Sequence, residues 1–375
     1  MSVYDKINKK TGPYKLLALD GGGIRGLISI EILAEIEASL KKSLGSDDSF
    51  VLADYFDYIA GTSTGAIIAA FLAWGMSVQE IRDFYEKSGP AIFDKAFLLT
   101  RLKHVYEDKN LKNILRNTFG KNTTLGSDKL KTLLMLVIRN AKTDSPWPVS
   151  NNPNAKFNDP NLPDCNLNLP LWKLVRASAA APVLFPPEKV KLGNRKFIFV
   201  DGGISPYANP AFQLFLMATL KPYQLMWPSG EDNILLVSVG TGLTPEINPK
   251  LKAKNMGAVY NAQHVPMALV LATQTEQDLL CRIFGKCLSG NVIDEELGDL
   301  SEANGLLPSK LFTYVRYDAE LTSTGLDKLD GLDNINLKQI RKLDSVKDKN
   351  MEQLQLVGKA IAKQVKSEHF ANFLQ

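Results

Sequence analysis

The sequence predicts an α/β fold, a mainly parallel sheet with helices on both faces, followed by a helix-rich remainder. Three observations predict it. Over the first two thirds of the 375 residues, short apolar runs alternate with segments of helical period. The three loops of unusual composition, at Gly21, Gly61 and Asp201, each follow an apolar run, and strand carboxyl ends are where such sheets carry their sites. After Leu243 the pattern changes to helices, interrupted by one apolar run.

Taken in order, Lys15–Asp20 reads as a strand feeding a helix over about Leu27–Leu44, where Ile28, Ile32, Ile36 and Leu40 recur every fourth residue on one face. A second strand, Tyr55–Ala60, feeds a helix at Ala66–Trp74, and helices follow at Val78–Ser88 and Asn110–Phe119. Leu130–Lys142 fits a strand or a buried helix, and the Pro- and Asn-rich loop after it favours a strand. That loop, Thr143–Pro170, is long for a connection inside a compact domain, so it is expected to be functional or mobile and is a candidate lid. "LWKLVRASAAAP" reads as a helix stopped by Pro182, and "RKFIFVDGG" and "NILLVSVGTG" read as strands ending at Asp201 and Gly240. Beyond Leu243, helices are expected at Ala262–Phe284, Leu337–Leu343 and Met351–Phe370, with a strand at Leu311–Tyr317. The expected division is a catalytic α/β core over residues 14–243 and a mostly helical part over 244–375, packed on or extending it.

Composition narrows the function classes. Hydrophobic residues make up 45% of the chain, enough for a sizeable core. The basic surplus, 44 − 40 = 4, is small and its charges are interspersed, which argues against nucleic acid as a partner. Cys165, Cys281 and Cys287 form no C-x-x-C pair and no disulfide framework, as suits a reducing compartment. "MSVYDKINKKTGPYK" lacks the apolar core of a signal peptide, so the expected location is cytoplasmic, with a peripheral place at a membrane surface left open. The uncharged window Tyr58–Gln79 is long enough to span a bilayer, but Gly61–Gly65 would interrupt a spanning helix; a strand, a tight turn and a buried helix explain it better.

Gly61-Thr62-Ser63-Thr64-Gly65 fits G-x-S-x-G between strand and helix, the context a nucleophile elbow requires. The following helix would aim its positive end at negative charge developing near Ser63. Asp201, followed by Gly202 and Gly203, sits at a strand end and is a candidate base, although an Asp-Gly pair is ordinarily just a turn. The chain holds three histidines, His104, His264 and His369. The order Ser63, Asp201, His264 matches an α/β-hydrolase triad, but only one strand precedes the Ser63 strand and His264 lies in a helical stretch. A direct Ser63–Asp201 pair is the better reading, with His264 the alternative base. Gly21-Gly22-Gly23-Ile24-Arg25-Gly26 has the order of a dinucleotide-binding turn and equally that of a loop offering N–H groups to an oxyanion. Asp47 and Asp48 stand at the distance of a ribose-binding acid, but polar "KKSLGS" precedes them where a strand is needed. The oxyanion reading is preferred, with Arg25 fixing the loop or binding a headgroup phosphate. No metal or cofactor is expected, since no His/Cys/carboxylate cluster has ligand spacing. Trp147, Phe157 and Trp172 are candidates for an acyl groove or a bilayer contact, or equally for packing.

"LALDGGGIRG", "LADYFDYIAGTSTG", "ASAAAPVLFPP" and "VDGG", in this order, resemble the patatin-like lipid acyl hydrolases, as do "FYEKSGPAIF" and "SVGTG". The resemblance covers roughly Tyr14–Gly242 and is looser beyond. It implies a three-layer α/β/α fold and a Ser-Asp dyad without histidine, with Ser63 as nucleophile and Asp201 as base. It further implies an oxyanion loop at Gly21, Gly22, Gly23 and Arg25, with Gly26, Gly61, Gly65, Gly202 and Gly203 completing the motifs. The implied substrate is an acyl ester of a phospholipid, galactolipid or neutral glycerolipid, presented in a membrane or micelle. Two other readings stay open: a phospholipase effector that degrades membranes under control of a ligand, and a nucleotide-binding module using Gly21–Gly26. Mechanism sets one further expectation: a carboxylate base works near neutral pH if it is partly desolvated, so Asp201 should be.

Overall fold

Along the central strands, side chains alternate between two apolar cores, one on each face of a single sheet. The structure, a computed structural model, describes residues 12–93, 109–182, 185–300 and 307–374, together with Val3 and Ile7. In β1 (Tyr14–Leu19), Leu17 and Leu19 enter the first core while Leu16 and Ala18 enter the second. β2 (Tyr58–Thr62) and β3 (Leu133–Asn140) repeat the pattern with Ile59 and Leu136 against Ala60 and Val137. Strands apolar on both faces suit the interior of a parallel sheet, which must be covered twice.

The remaining strands are β4 (Ser145–Ser150), β5 (Glu188–Leu192), β6 (Arg195–Asp201), β7 (Ile234–Val239), β8 (Lys286–Ser289) and β9 (Thr313–Tyr317). Their order is β5-β6-β3-β2-β1-β7-β9-β8, with β4 also paired to β3. The six strands from β3 to β8 run parallel, and β4, β5 and β6 are joined by antiparallel pairs. The longer helices are α1 (Gly26–Leu44), α2 (Thr64–Trp74), α3 (Val78–Phe93), α4 (Lys109–Phe119), α5 (Leu171–Ser178), α6 (Ala211–Thr219), α7 (Ala258–Phe284) and α8 (Asp348–Ala362). Apolar faces of α1 to α5 and α8 close the first core; α6 and the end of α7 close the second. The result is a three-layer α/β/α fold with a mostly parallel central sheet.

The expected elements are found with several differences. Tyr55 belongs to a one-turn helix, Leu52–Tyr55, and β2 begins at Tyr58. Between them, the Asp57 carboxylate accepts the Lys15 N–H at 2.8 Å, tying the turn to β1. The Thr143–Pro170 loop contains β4, because Pro146 and Pro148 stand on an edge strand where a missing N–H is tolerated. Helix α5 stops at Ser178, before Pro182. The expected helix at Leu337–Leu343 shortens to Leu337–Ile340, and α8 stops at Ala362 with a 3-10 turn, Ser367–His369, after it. β5, β8 and α6 were not expected. After Leu243 the chain returns to the same sheet through β8 and β9. α8 lies so close to α1 that a Cβ on Gly358 would fall 2.8 Å from the Ile28 carbonyl oxygen.

Candidate active site

Strand register brings the three unusual loops to one point. β1 pairs with β2 so that Leu19 faces Gly61, and with β7 so that Leu19 faces Val239. Two residues further along, Gly21, Ser63 and Thr241 therefore stand side by side. A Cβ built on Gly21 would lie 3.3 Å from Ser63 Cβ, and Thr241 Oγ1 donates to the Gly21 carbonyl at 2.7 Å. Asp201 arrives along the other neighbour of β2. β4 occupies one edge of β3, so β2 and β6 share the opposite edge: Thr62 faces Val137, and Asp201 faces Ile138, the next residue. β2 runs parallel to β3 and β6 runs antiparallel, so their carboxyl ends meet head to head. Ser63 Oγ donates to Asp201 Oδ2 at 2.6 Å.

Ser63 occupies the turn between β2 and α2 with φ 56° and ψ −119°, a backbone conformation that L-residues rarely adopt. Several contacts hold it there. Ser178 Oγ accepts the Ser63 N–H at 3.0 Å and donates to the Val137 carbonyl at 2.6 Å. The N–H groups of Ala66 and Ile67 close on the Ser63 carbonyl at 3.0 and 3.2 Å. The motif glycines make the turn sterically possible: a Cβ on Gly61 would collide with the Gly65 backbone, and one on Gly65 would lie 2.6 Å from the Asp20 carbonyl oxygen. Gly26 packs in the same way against Thr64, and Gly202 against the Val137 carbonyl.

Asp201 is 4% exposed, and the Gly203 N–H donates to its Oδ1 at 2.6 Å, leaving Oδ2 for the serine. Burial pushes its carboxyl up to about 6, against the opposing pull of the Ser63 and Gly203 hydrogen bonds and the Arg176 charge. The expected desolvation is therefore present. The carboxylate is charged at neutral pH and still basic enough to take a proton.

The glycine loop divides its groups. The Gly21 N–H is engaged by the Ala208 carbonyl at 3.1 Å, which withdraws it as a donor. The Gly22 and Gly23 N–H groups have no backbone acceptor among the described residues. Arg25 is buried: its Nη1 donates to the Gly242 carbonyl at 2.9 Å and its Nε to the Gly22 carbonyl at 3.4 Å. Of the two roles open to it, this geometry is that of a loop support. Behind the loop, Arg316 makes two hydrogen bonds to the Asp20 carboxylate, at 3.0 and 2.6 Å, and one to Asp318 at 2.6 Å. The two carboxylates hold that buried guanidinium charged. Asp47 and Asp48 follow the far end of α1, whose 19 residues span about 28 Å. No ribose bound at the glycine loop could reach them.

Ser63, Asp201, Gly22 and Gly23 open onto a cavity of about 420 Å³. Its walls are apolar, formed chiefly by Phe93, Phe185, Ile204, Met267, Val270 and Leu271. Trp147, Phe157 and Trp172 are elsewhere. Trp147 packs on Phe197 and Phe199, and with Phe157 it borders a separate cavity of about 480 Å³. Trp172 is buried, with its Nε1 donating to the Lys121 carbonyl. The 143–170 segment does not border the Ser63 cavity and is no lid over it. Asn151 Oδ1 accepts the Leu134 N–H and Asn152 Nδ2 donates to the Tyr223 carbonyl, both at 2.7 Å, which tethers the segment, and Asn158 Nδ2 ties it to itself at the Ser150 carbonyl.

The histidine alternative is not realised. His264 Nδ1 meets the Tyr260 carbonyl at 2.7 Å, and its Nε2 lies 3.2 Å from Glu246. His369 is buried against the Tyr317 hydroxyl at 2.6 Å, and His104 lies outside the described residues. Among the described residues, no group of His, Cys, Asp and Glu is placed to hold a metal ion. Sequence reasoning missed Ser178, which lies inside the quoted "ASAAAP" block but shows its role only through the α5–β3 contact. It expected the α7 helix but not its place at the site, where it supplies one wall of the cavity.

A family model for patatin-like phospholipases matches residues 17–215, more than half of the chain. Patatin-17 of Solanum cardiophyllum is 30% identical over 66% of this chain and 65% of its own length. The intracellular phospholipase A2 of Caenorhabditis elegans is 32% identical over 63% of this chain, but over only 20% of its own length. A cGAMP-activated phospholipase of Escherichia coli is 30% identical over 70% of this chain and 72% of its own. The chain thus spans less than two thirds of the first two of these relatives. With the family model covering both the Ser63 elbow and the Asp201 strand, the chain belongs to the patatin-like phospholipase family.

Proposed function

We propose that the protein is a serine lipid acyl hydrolase, cleaving fatty acyl ester bonds of phospholipids or other glycerolipids through a covalent acyl-enzyme. The observation that carries this reading is the 2.6 Å hydrogen bond from Ser63 Oγ to a buried carboxylate, at the floor of an apolar cavity. In the first step Ser63 Oγ bonds to the acyl carbonyl carbon while its proton passes to Asp201 Oδ2. The Gly22 and Gly23 N–H groups, with the positive end of α2, receive the negative charge that develops on the carbonyl oxygen. Collapse breaks the bond to the glycerol oxygen, which leaves with the proton from Asp201. Water then attacks the acyl-enzyme, Asp201 takes its proton, and fatty acid departs as that proton returns to Ser63 Oγ. Apolar walls fit a fatty acyl chain better than a nucleotide, which favours this reading over a nucleotide-binding module.

The test is fatty acid release from a panel of phospholipids, galactolipids and triacylglycerols, alongside labelling by a fluorophosphonate. Release and labelling by the wild type, both lost in Ser63→Ala, support the reading; release that survives Ser63→Ala sinks it. A second reading keeps the same chemistry but makes it wait for a soluble ligand. It is favoured by relatives in Escherichia coli and Vibrio cholerae that are named cGAMP-activated phospholipases. A wild type that is silent alone and active with a cyclic dinucleotide would establish it.

A further inference from the structure

The first two thirds of α7 carry no charged side chain and yet lie at the surface. Residues 258–275 contain no Asp, Glu, Lys or Arg. Yet Val259 is 74% exposed, Leu269 61% and Val265 46%. The same stretch turns Met267, Val270 and Leu271 into the Ser63 cavity, so the exposed apolar surface is continuous with the cavity mouth. Leading into it, Lys250, Lys252 and Lys254 are all exposed, with Ile247 and Met256 exposed around them. The neighbouring carboxylate, Glu246, is within ion-pair distance of His264. No helix among the described residues is long and apolar enough to cross a membrane. Large apolar side chains in water, bordered by basic groups, mark a surface meant to be covered.

We infer that this stretch of α7, with the lysines before it, seats the protein on an anionic lipid bilayer and turns the cavity mouth toward the headgroups. The inference rests on the lipid hydrolase reading for its purpose, not for its geometry. Charge complementarity selects the occupant. A second copy docked on this face would cover the apolar side chains but would close both cavity mouths against substrate. A bilayer with anionic headgroups neutralises the lysines, receives the apolar side chains and supplies a diacyl lipid at the mouth.

The test uses the full chain carrying Ser63→Ala, so that hydrolysis does not alter the vesicles during flotation. The Ser63→Ala protein should bind mixed phosphatidylcholine–phosphatidylglycerol vesicles more tightly than phosphatidylcholine alone. Adding Val259→Glu and Leu269→Glu should weaken binding about tenfold or more. Adding Lys250→Gln, Lys252→Gln and Lys254→Gln should weaken it and remove most of its salt dependence. In the otherwise wild-type protein, Val259→Glu with Leu269→Glu should leave hydrolysis of a soluble short-chain ester within about twofold, since neither side chain lines the cavity. Equal vesicle binding by all variants overturns the inference. So does a solution dimer that Val259→Glu and Leu269→Glu dissociate. Vesicle binding as described, in a wild type that releases no fatty acid from any lipid or ester either alone or with a cyclic dinucleotide, refutes the catalytic reading and leaves the docking surface standing.

Discussion

Two helices meet the Ser63 cavity in different ways: α2 starts directly after Ser63 at its floor and α7 forms one wall, both without charged side chains there, and they have opposite surroundings. α2 is buried at every position but its last, Trp74, between the sheet and the helices of the first core. The 258–275 stretch of α7 exposes most of its apolar residues. The absence of charge does not distinguish them, because it says nothing of what covers a segment. For α2 the cover is protein, and its first turn is tied to the Ser63 carbonyl by the Ala66 and Ile67 N–H groups. For α7 the described residues leave that stretch exposed. The comparison assigns chemistry to the first helix and access to the second.

Variants at the α2 side should have the largest effects. Ser63→Ala and Asp201→Asn should each lower kcat/KM by about a thousandfold or more on lipid and soluble ester alike, with the far-UV CD spectrum unchanged. A loss confined to membrane substrate would break the assignment of chemistry to this side. Next in size, Arg25→Ala should free the glycine loop from the Gly242 carbonyl and cost about a hundredfold in kcat with little change in KM, the pattern of a lost transition-state contact. A raised KM with kcat preserved would instead mean that Arg25 grips the substrate.

The pH profile gives a smaller and more diagnostic effect. With the Asp201 carboxyl pushed up to about 6, kcat/KM should fall about tenfold for each pH unit below that point and level off above about 7. The same shift bears on stability. A carboxyl that binds its proton more tightly when folded contributes stability below its unfolded value of 3.8, and loses it as pH rises through about 6. Asp201→Asn should therefore raise thermal stability at pH 8 by at most about 3 kcal/mol and leave it nearly unchanged at pH 4. A Tm difference independent of pH would show that the carboxyl is not desolvated. The smallest effect belongs to the α7 side: His264→Ala should change hydrolysis of a soluble ester by less than about twofold, since both ring nitrogens already have partners away from Ser63.

What the sequence disclosed follows the same division. Gly61, Gly65 and Gly202 are legible because backbone approaches backbone there, and no other residue fits. Strands β1, β2, β3 and β7 are legible because two-sided burial leaves a continuous apolar run. Ser178 is not, since a serine near a helix end has many uses until α5 is laid on β3. Nor is β4, whose prolines are equally at home in a loop and on a sheet edge. β5 was missed despite a regular alternation, with Glu188, Val190 and Leu192 inward and Lys189 and Lys191 outward, because five residues are too few to stand out. The cavity walls were sought among the tryptophans, while the structure takes them from α3, from the segment after α5 and from α7.

The head-to-head meeting of β2 and β6 on β3 also has a consequence for synthesis. Ser63 and Asp201 are 138 residues apart in the chain, and the carbonyls that steady Gly21 and Arg25 come from later still, at Ala208 and Gly242. A chain emerging from the ribosome exposes its serine long before its base exists, and its base before β7 has braced the glycine loop. Until about two thirds of the protein is made and paired, it holds a nucleophile with nothing to activate it. A hydrolase of the proposed kind would stay inert for as long as it is unfinished.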